Sequence, residues 1–183
     1  EKQFDDSADL LAQFGEDSAA AREILVRAKG APDAGWESST AVRPSPRPYS
    51  YRYQEIEHTA DRALRVWGKR VPDLFAGAAR GMYGLMADVS GLAATSWREI
   101  ELDGRDRESL LVDWLNELLF LTESEGLLFV EYEFLSLTGT RLVARVGGTP
   151  GSVTRAGIKA ATFHNLALVE GDGGWSTVIT FDV

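Results

Sequence analysis

Large and polar residues alternate from Tyr51 to Glu57 and again from Ala63 to Trp67, which predicts two strands joined by a turn over His58–Asp61. Gly68 ends the second strand. The period then lengthens, because Leu74, Phe75, Ala78, Met82, Leu85 and Met86 recur at helical spacing behind Pro72, a residue suited to the first turn of a helix. Alternation returns from Trp97 to Leu102 and stops at Asp103 and Gly104. From Arg107 to Glu125 the residues Leu110, Leu111, Trp114, Leu115, Leu118, Leu119 and Leu121 form a wide apolar stripe, with Asp106 placed to cap it and Gly126 just beyond its end. A stripe that wide predicts burial against a sheet. The remainder reads as strands at Leu127–Leu137, Arg141–Val146, Ile158–Phe163, Leu166–Glu170 and Trp175–Asp182, with a turn at 171–174 between the last two. Hairpin-like spacing predicts antiparallel pairing, and strands and helices do not alternate as in a parallel doubly wound sheet. The expected fold is α+β, a mainly antiparallel β-sheet packed with two α-helices.

Residues 1–50 have a different character. Leu10, Leu11 and Phe14, then Ile24, Leu25 and Ala28, give two short helical patches separated by Gly15 and closed by Gly30 and Pro32. From Ala31 to Ser50 the chain holds Pro32, Pro44, Pro46 and Pro48 among Gly, Ser and Thr, the make-up of an extended linker. Two regions follow: a marginally helical extension with a proline-rich linker over 1–50, and one folded domain over 51–183.

Composition narrows the chemistry. Nineteen basic residues face 28 acidic ones, a formal charge of -9, so the surface as a whole repels a phosphate backbone and autonomous nucleic-acid binding is not expected. The chain has no cysteine, which excludes a disulfide framework, a zinc–thiolate site and a thiol nucleophile. Any metal must be held by oxygen or imidazole. No apolar run reaches the length of a membrane span and the acidic start is unlike a signal peptide, so a cytoplasmic protein with no membrane partner is expected. Only two histidines, His58 and His164, are present, and neither a nucleophile elbow nor a phosphate loop occurs.

Asp61 lies in the first turn, where a carboxylate either caps backbone N–H groups or holds a hard cation. Taken alone, capping is its ordinary use. Asp182 changes the weighing, since it ends a strand apolar enough (Val178, Ile179, Phe181) to lie within the sheet, and Val183 adds an α-carboxylate beside it. Three such groups in one place would repel one another unless a cation or a basic side chain sits among them. Oxygen-only ligands suit Ca²⁺ or Mg²⁺. His58 is either a turn histidine bonded to backbone or a partner of Asp61. Lys159 and His164, five residues apart, fall on opposite faces of a regular strand, so at most one of them can face the site.

Several stretches together resemble the archease family: Tyr53 with Glu55–Asp61; Asp73-Leu74-Phe75 with Ala78, Ala79, Gly81 and Met82; Glu108–Val112 with Trp114–Leu119; Ile158–Ala160 with Thr162–His164; and Phe181-Asp182-Val183. The resemblance runs in order through residues 51–183 and leaves out 1–50. Phe163 stands where the family pattern suggests Tyr. The resemblance implies a small α+β protein, not itself an enzyme, that acts with the GTP-dependent RNA ligase of tRNA splicing and RNA repair by promoting its guanylylation and multiple turnover. It places the metal-binding carboxylates on Asp61, Asp182 and the terminal Val183, holding a divalent cation, Ca²⁺ or alternatively Mg²⁺ or Mn²⁺. His58, Lys159 and His164 fall within its motifs as supporting residues. A chaperone-like protein-binding module for nucleic-acid-processing proteins is the alternative.

Overall fold

The apolar periodicities become strands and helices in the computed structural model, which describes residues 49–57 and 62–183. The expected N-terminal helical patches, almost all of the linker, and the turn carrying His58 and Asp61 lie outside the described residues. The elements run β1 (Tyr51–Glu57), β2 (Arg62–Gly68), α1 (Val71–Met86), β3 (Ser96–Asp103), α2 (Arg107–Glu125), β4 (Leu127–Leu137), β5 (Arg141–Pro150), β6 (Ala160–Thr162), β7 (Val169–Gly171) and β8 (Gly174–Asp182). Every pairing among them is antiparallel. The expected α+β class with two helices is found, but the strands divide into two sheets. One runs β1-β2-β8-β6, with β7 also on β8, and the other runs β3-β5-β4.

The helices form a layer between the sheets. On one side α1 meets β1 and β2 through glycines: a Cβ at Gly77 would come within 2.8 Å of Tyr51, and one at Gly81 within 2.4 Å of Leu64. Only a helix face without side chains can lie that close to the first sheet. On the other side Phe75 meets Phe134 at 6.3 Å between ring centroids and Tyr83 meets Phe129 at 6.4 Å, so the same helix is anchored to the second sheet by aromatic rings. Helix joins helix by hydrogen bonds. Tyr83 donates to the Leu118 carbonyl at 3.1 Å and bonds Thr122 Oγ1 at 2.8 Å, while the Trp114 indole N–H donates to the Phe75 carbonyl at 3.3 Å. These polar tips are satisfied, which allows Trp114 and Tyr83 to be fully buried. α2 starts as expected, with Asp106 accepting the Ser109 N–H at 2.7 Å, and ends at Gly126 in the left-handed region.

Two expected strands are much shorter than their patterns suggest. Ile158–Phe163 reduces to Ala160–Thr162, and Leu166–Glu170 to Val169–Gly171. Both compete for the same edge of β8, one at each end, and the chain between them turns through His164 and Asn165, the latter at φ 53°. Alternation of side chains cannot reveal that two segments share one edge.

α1 is locked at its start by Asp73, which is 1% exposed. Its carboxylate accepts the Ser50 N–H at 3.2 Å, the Arg70 N–H at 2.8 Å and two bonds from the Arg70 guanidinium at 2.9 and 2.8 Å. Burial pushes this carboxyl's pKa up, but the Arg70 side chain and the N–H donors outweigh burial and hold it below the ordinary value. With the folded-state pKa depressed, the stabilisation is present above the unfolded carboxylate range, near pH ~4, and is lost as pH falls through the folded value. Asp73→Asn should therefore lower the urea midpoint at pH 7 and converge on the parent once pH has fallen through the folded value. A constant difference across that range would refute the assignment.

Candidate functional site

β8 is the strand that delivers the candidate residues. Ile179 and Phe181 are fully buried in the core that α1 packs onto, and β2 pairs with β8 from Gly68↔Trp175 to Arg62↔Phe181. Asp182 is the next residue and is exposed. Asp61 is bonded to Arg62 and Asp182 to Phe181, so each carboxylate residue stands one peptide bond beyond a paired position. Asp61 and His58 themselves lie outside the described residues.

Lys159 is brought to the same end of β8. Its N–H donates to the Asp182 carbonyl at 2.9 Å and its Nζ donates to the Val183 main-chain oxygen at 3.0 Å. Asp182, Val183 and Lys159 therefore form one exposed cluster. His164 does not join it. Its N–H is 3.4 Å from Thr162 Oγ1 and its Nε2 is 3.0 Å from the Asn165 side-chain nitrogen, in the turn after β6. Since β6 holds only three residues, Lys159 and His164 both fall outside it, and the opposite-face rule for a regular strand does not apply to them.

The donor set at this end is oxygen only, which fits a hard divalent cation better than zinc. Among the described residues no group of three or more His, Cys, Asp or Glu side chains stands together. The Asp182 carboxylate and a Val183 oxygen alone fall short of the roughly six to eight oxygens such a cation takes. Residues 58–61, water or a partner would have to supply the others. The nearby Arg62 is engaged, with its guanidinium 2.5 Å from Glu55.

α2 positions this end of β8 through a residue that the pattern of apolar positions passes over. Asn116 accepts the Ala161 N–H at 2.7 Å and donates to the Ala161 carbonyl at 3.2 Å, so an amide side chain pairs with the outer edge of β6 as a further strand would. Glu108 likewise accepts the Leu168 N–H at 3.0 Å and ties down the segment leading into β7. An Asn set among the leucines of a buried helix stripe is the sequence signal for such a role. Glu117, one residue on, is half-buried, and burial raises its carboxyl pKa.

Comparison with known proteins matches this geometry to a family. The Archease protein family (MTH1598/TM1083) is matched over residues 53–183, and the chain belongs to it. The protein archease of Methanopyrus kandleri is 35% identical over 138 residues, covering 72% of this chain and 99% of that protein. Its namesake from Methanothermobacter thermautotrophicus is 33% identical over 66% of this chain and 91% of its own length. In three dimensions the chain is similar to the solution structure of Methanobacterium thermoautotrophicum protein 1598, with TM-score 0.61 and 30% identity over 72% of this chain and 98% of that one. It also shares the fold of a Thermotoga maritima protein described as an archease and possible chaperone, with TM-score 0.52 and 22% identity over 71% of this chain and 96% of that one. The relatives carry the family's name rather than that of a reaction. Among the described residues no helix is long and apolar enough to cross a membrane.

Two measurements test how α2 holds this end. Asn116→Ala leaves the Ala161 amide and carbonyl without partners, at a cost of about 1–3 kcal/mol, and should speed hydrogen exchange at Ala161 before that of the β8 core; unchanged exchange would refute the clasp. For Glu117 the folded pKa lies above the unfolded one, so its contribution is most favourable below about pH 4 and worsens as pH rises through the folded value. Glu117→Gln should raise Tm at pH 7 and leave it unchanged near pH 3.5; no gain at pH 7 would contradict this.

Proposed function

We propose that this protein is a non-catalytic activator of the GTP-dependent RNA ligase of tRNA splicing and RNA repair, and that it acts through a divalent cation held by Asp61, Asp182 and the Val183 carboxylate. The observation that carries the reading is the end of the β2–β8 ladder. Arg62↔Phe181 is its last pair, so Asp61 and Asp182 follow directly from two residues that are neighbours across the sheet. Membership of the archease family supports the same assignment.

The roles follow from position. A buried strand holds Asp182 at an exposed end, which gives a carboxylate a fixed place without ordering a loop. Lys159 orients Val183 by donating to its oxygen, and moderates the negative charge there while the cation is absent. Bound at this end, a Ca²⁺, Mg²⁺ or Mn²⁺ ion would neutralise the carboxylates and offer open coordination positions to oxygen ligands on a partner. The ligase would supply those ligands from its own active site, and the acidic end of β8 would meet it there.

A ligation assay with the ligase limiting tests this reading. The parent protein should convert single-turnover into multiple-turnover ligation, whereas Asp61→Ala and Asp182→Ala, folded by circular dichroism, should leave the rate at that of the ligase alone. Full stimulation by either variant would overturn it. A second reading, a chaperone-like binding module, draws on the Thermotoga protein's description and on the exposure of Phe120, Leu135 and Phe163. In that case Asp182→Ala should still suppress aggregation of an unfolded client and the ligase should gain nothing from the parent protein.

A further inference from the structure

Among the described residues, the first sheet has a face that no helix covers. The helices pack on the side of Leu64, Val66 and Ile179, and the opposite side presents rows of residues fixed by the register. One row reads Arg52↔Trp67↔Ser176↔Val169 across β1, β2, β8 and β7, and the next reads Gln54↔Arg65↔Val178. Arg52 Cζ lies 4.2 Å from the centre of the Trp67 ring. Beside this row, a cleft of about 810 Å³ opens at the end of the sheet, lined by Arg52, Trp67 and Lys69 and by the hairpin between β7 and β8.

The charges on the two outer sheet faces are handled in opposite ways. On the second sheet Arg141 pairs with Glu101 and Asp103, and Arg145 pairs with Glu133 at 3.2 Å. On the first, Arg52, Arg65 and Lys69 have no carboxylate within 4 Å among the described residues. In a chain with nine more acidic than basic residues, three cations gathered beside an indole, with no ion pair among the described residues, are a local reversal of sign. Among the described residues, Asp172 is the one carboxylate lining the cleft. The net charge, which argues against nucleic-acid binding, is an average that hides this placement.

We propose that this end of the first sheet binds a short segment of single-stranded nucleic acid, with Arg52, Arg65 and Lys69 on phosphates and a base stacked on the Arg52–Trp67 pair. An aromatic ring on an open sheet face bordered by cations, here the half-buried Trp67, is the chemistry by which single strands are held without reading sequence. An acidic protein segment would satisfy the cations but would leave the indole and guanidinium planes without a stacking partner. The site is separate from the Asp182 cluster, because Ser176 and Asp182 are six residues apart on β8, about 20 Å. It stands whether or not the ligase reading holds.

The test is fluorescence anisotropy of a labelled twelve-nucleotide oligouridylate titrated with the full chain. Three phosphate contacts predict a log–log salt slope of about -2, so a fourfold rise in salt should weaken binding about twentyfold. Arg52→Ala combined with Arg65→Ala should lower affinity at least ~10-fold, Trp67→Ala should lower it and Trp67→Phe should retain most of it, all with unchanged circular dichroism. Asp182→Ala should bind as the parent does, which separates this site from the activator site. No salt-dependent binding by the parent, parent-like binding by the double arginine variant, or equal competition by polyglutamate would overturn the proposal, the last in favour of an acidic protein segment.

Discussion

The fold depends on a helix that must be buried on both of its sides. α1 lies between two sheets, so it can carry neither a solvated face nor an even coat of large side chains. Its composition answers both demands: Gly77, Gly81 and Gly84 bring it against β1 and β2, while Phe75, Met82 and Tyr83 fill the space toward α2 and the second sheet. Glycine in a helix interior costs about 1 kcal/mol at each position. Close contact along β1 and β2 offsets that cost, and at Gly81 any larger residue would have to displace the fully buried Leu64. The start of this helix is fixed in turn by Asp73, whose carboxylate joins Ser50 ahead of β1 to Arg70 ahead of α1.

From that layer the order passes to β8. The strand is central in the first sheet, paired along one edge by β2 and along the other by two short strands that leave its middle to be covered otherwise. α2 holds those flanking segments in turn, with Asn116 pairing to the outer edge of β6 at Ala161 and Glu108 accepting the Leu168 N–H ahead of β7. The end carrying Asp182 is thus held by a sheet neighbour on one edge and, through β6, by a helix on the other.

Much of this could be read from the chain. Both helices, with the Asp106 and Gly126 ends of the second, follow from apolar spacing and capping chemistry, and so do β1 to β5 and β8. The division into two sheets could not be read, because alternation records which residues face inward and is silent about which strands are neighbours. The lengths of β6 and β7 were hidden for a similar reason: Phe163 and Leu166 continue an apolar pattern, yet the pairing edge is already taken and the backbone turns at Asn165. At the candidate site, Asp182 and Val183 were visible as the abrupt end of an apolar strand. Spacing allowed at most one of Lys159 and His164 to face the site, and which one does so, Lys159 on Val183, depends on three-dimensional placement.

The placement of charge on the first sheet has a further consequence. Its outer face is basic beside Trp67 and carries the Asp182 carboxylate at the far end, whereas the ion pairs of the second sheet cancel locally. Among the described residues, the first sheet therefore carries charge of opposite sign toward the two ends of β8. In the field of a charged partner such a body rotates before it touches, arriving end-on more often than chance allows, and the advantage fades as salt shortens the reach of the field. Orientation during encounter would then be set by the axis of a single buried strand.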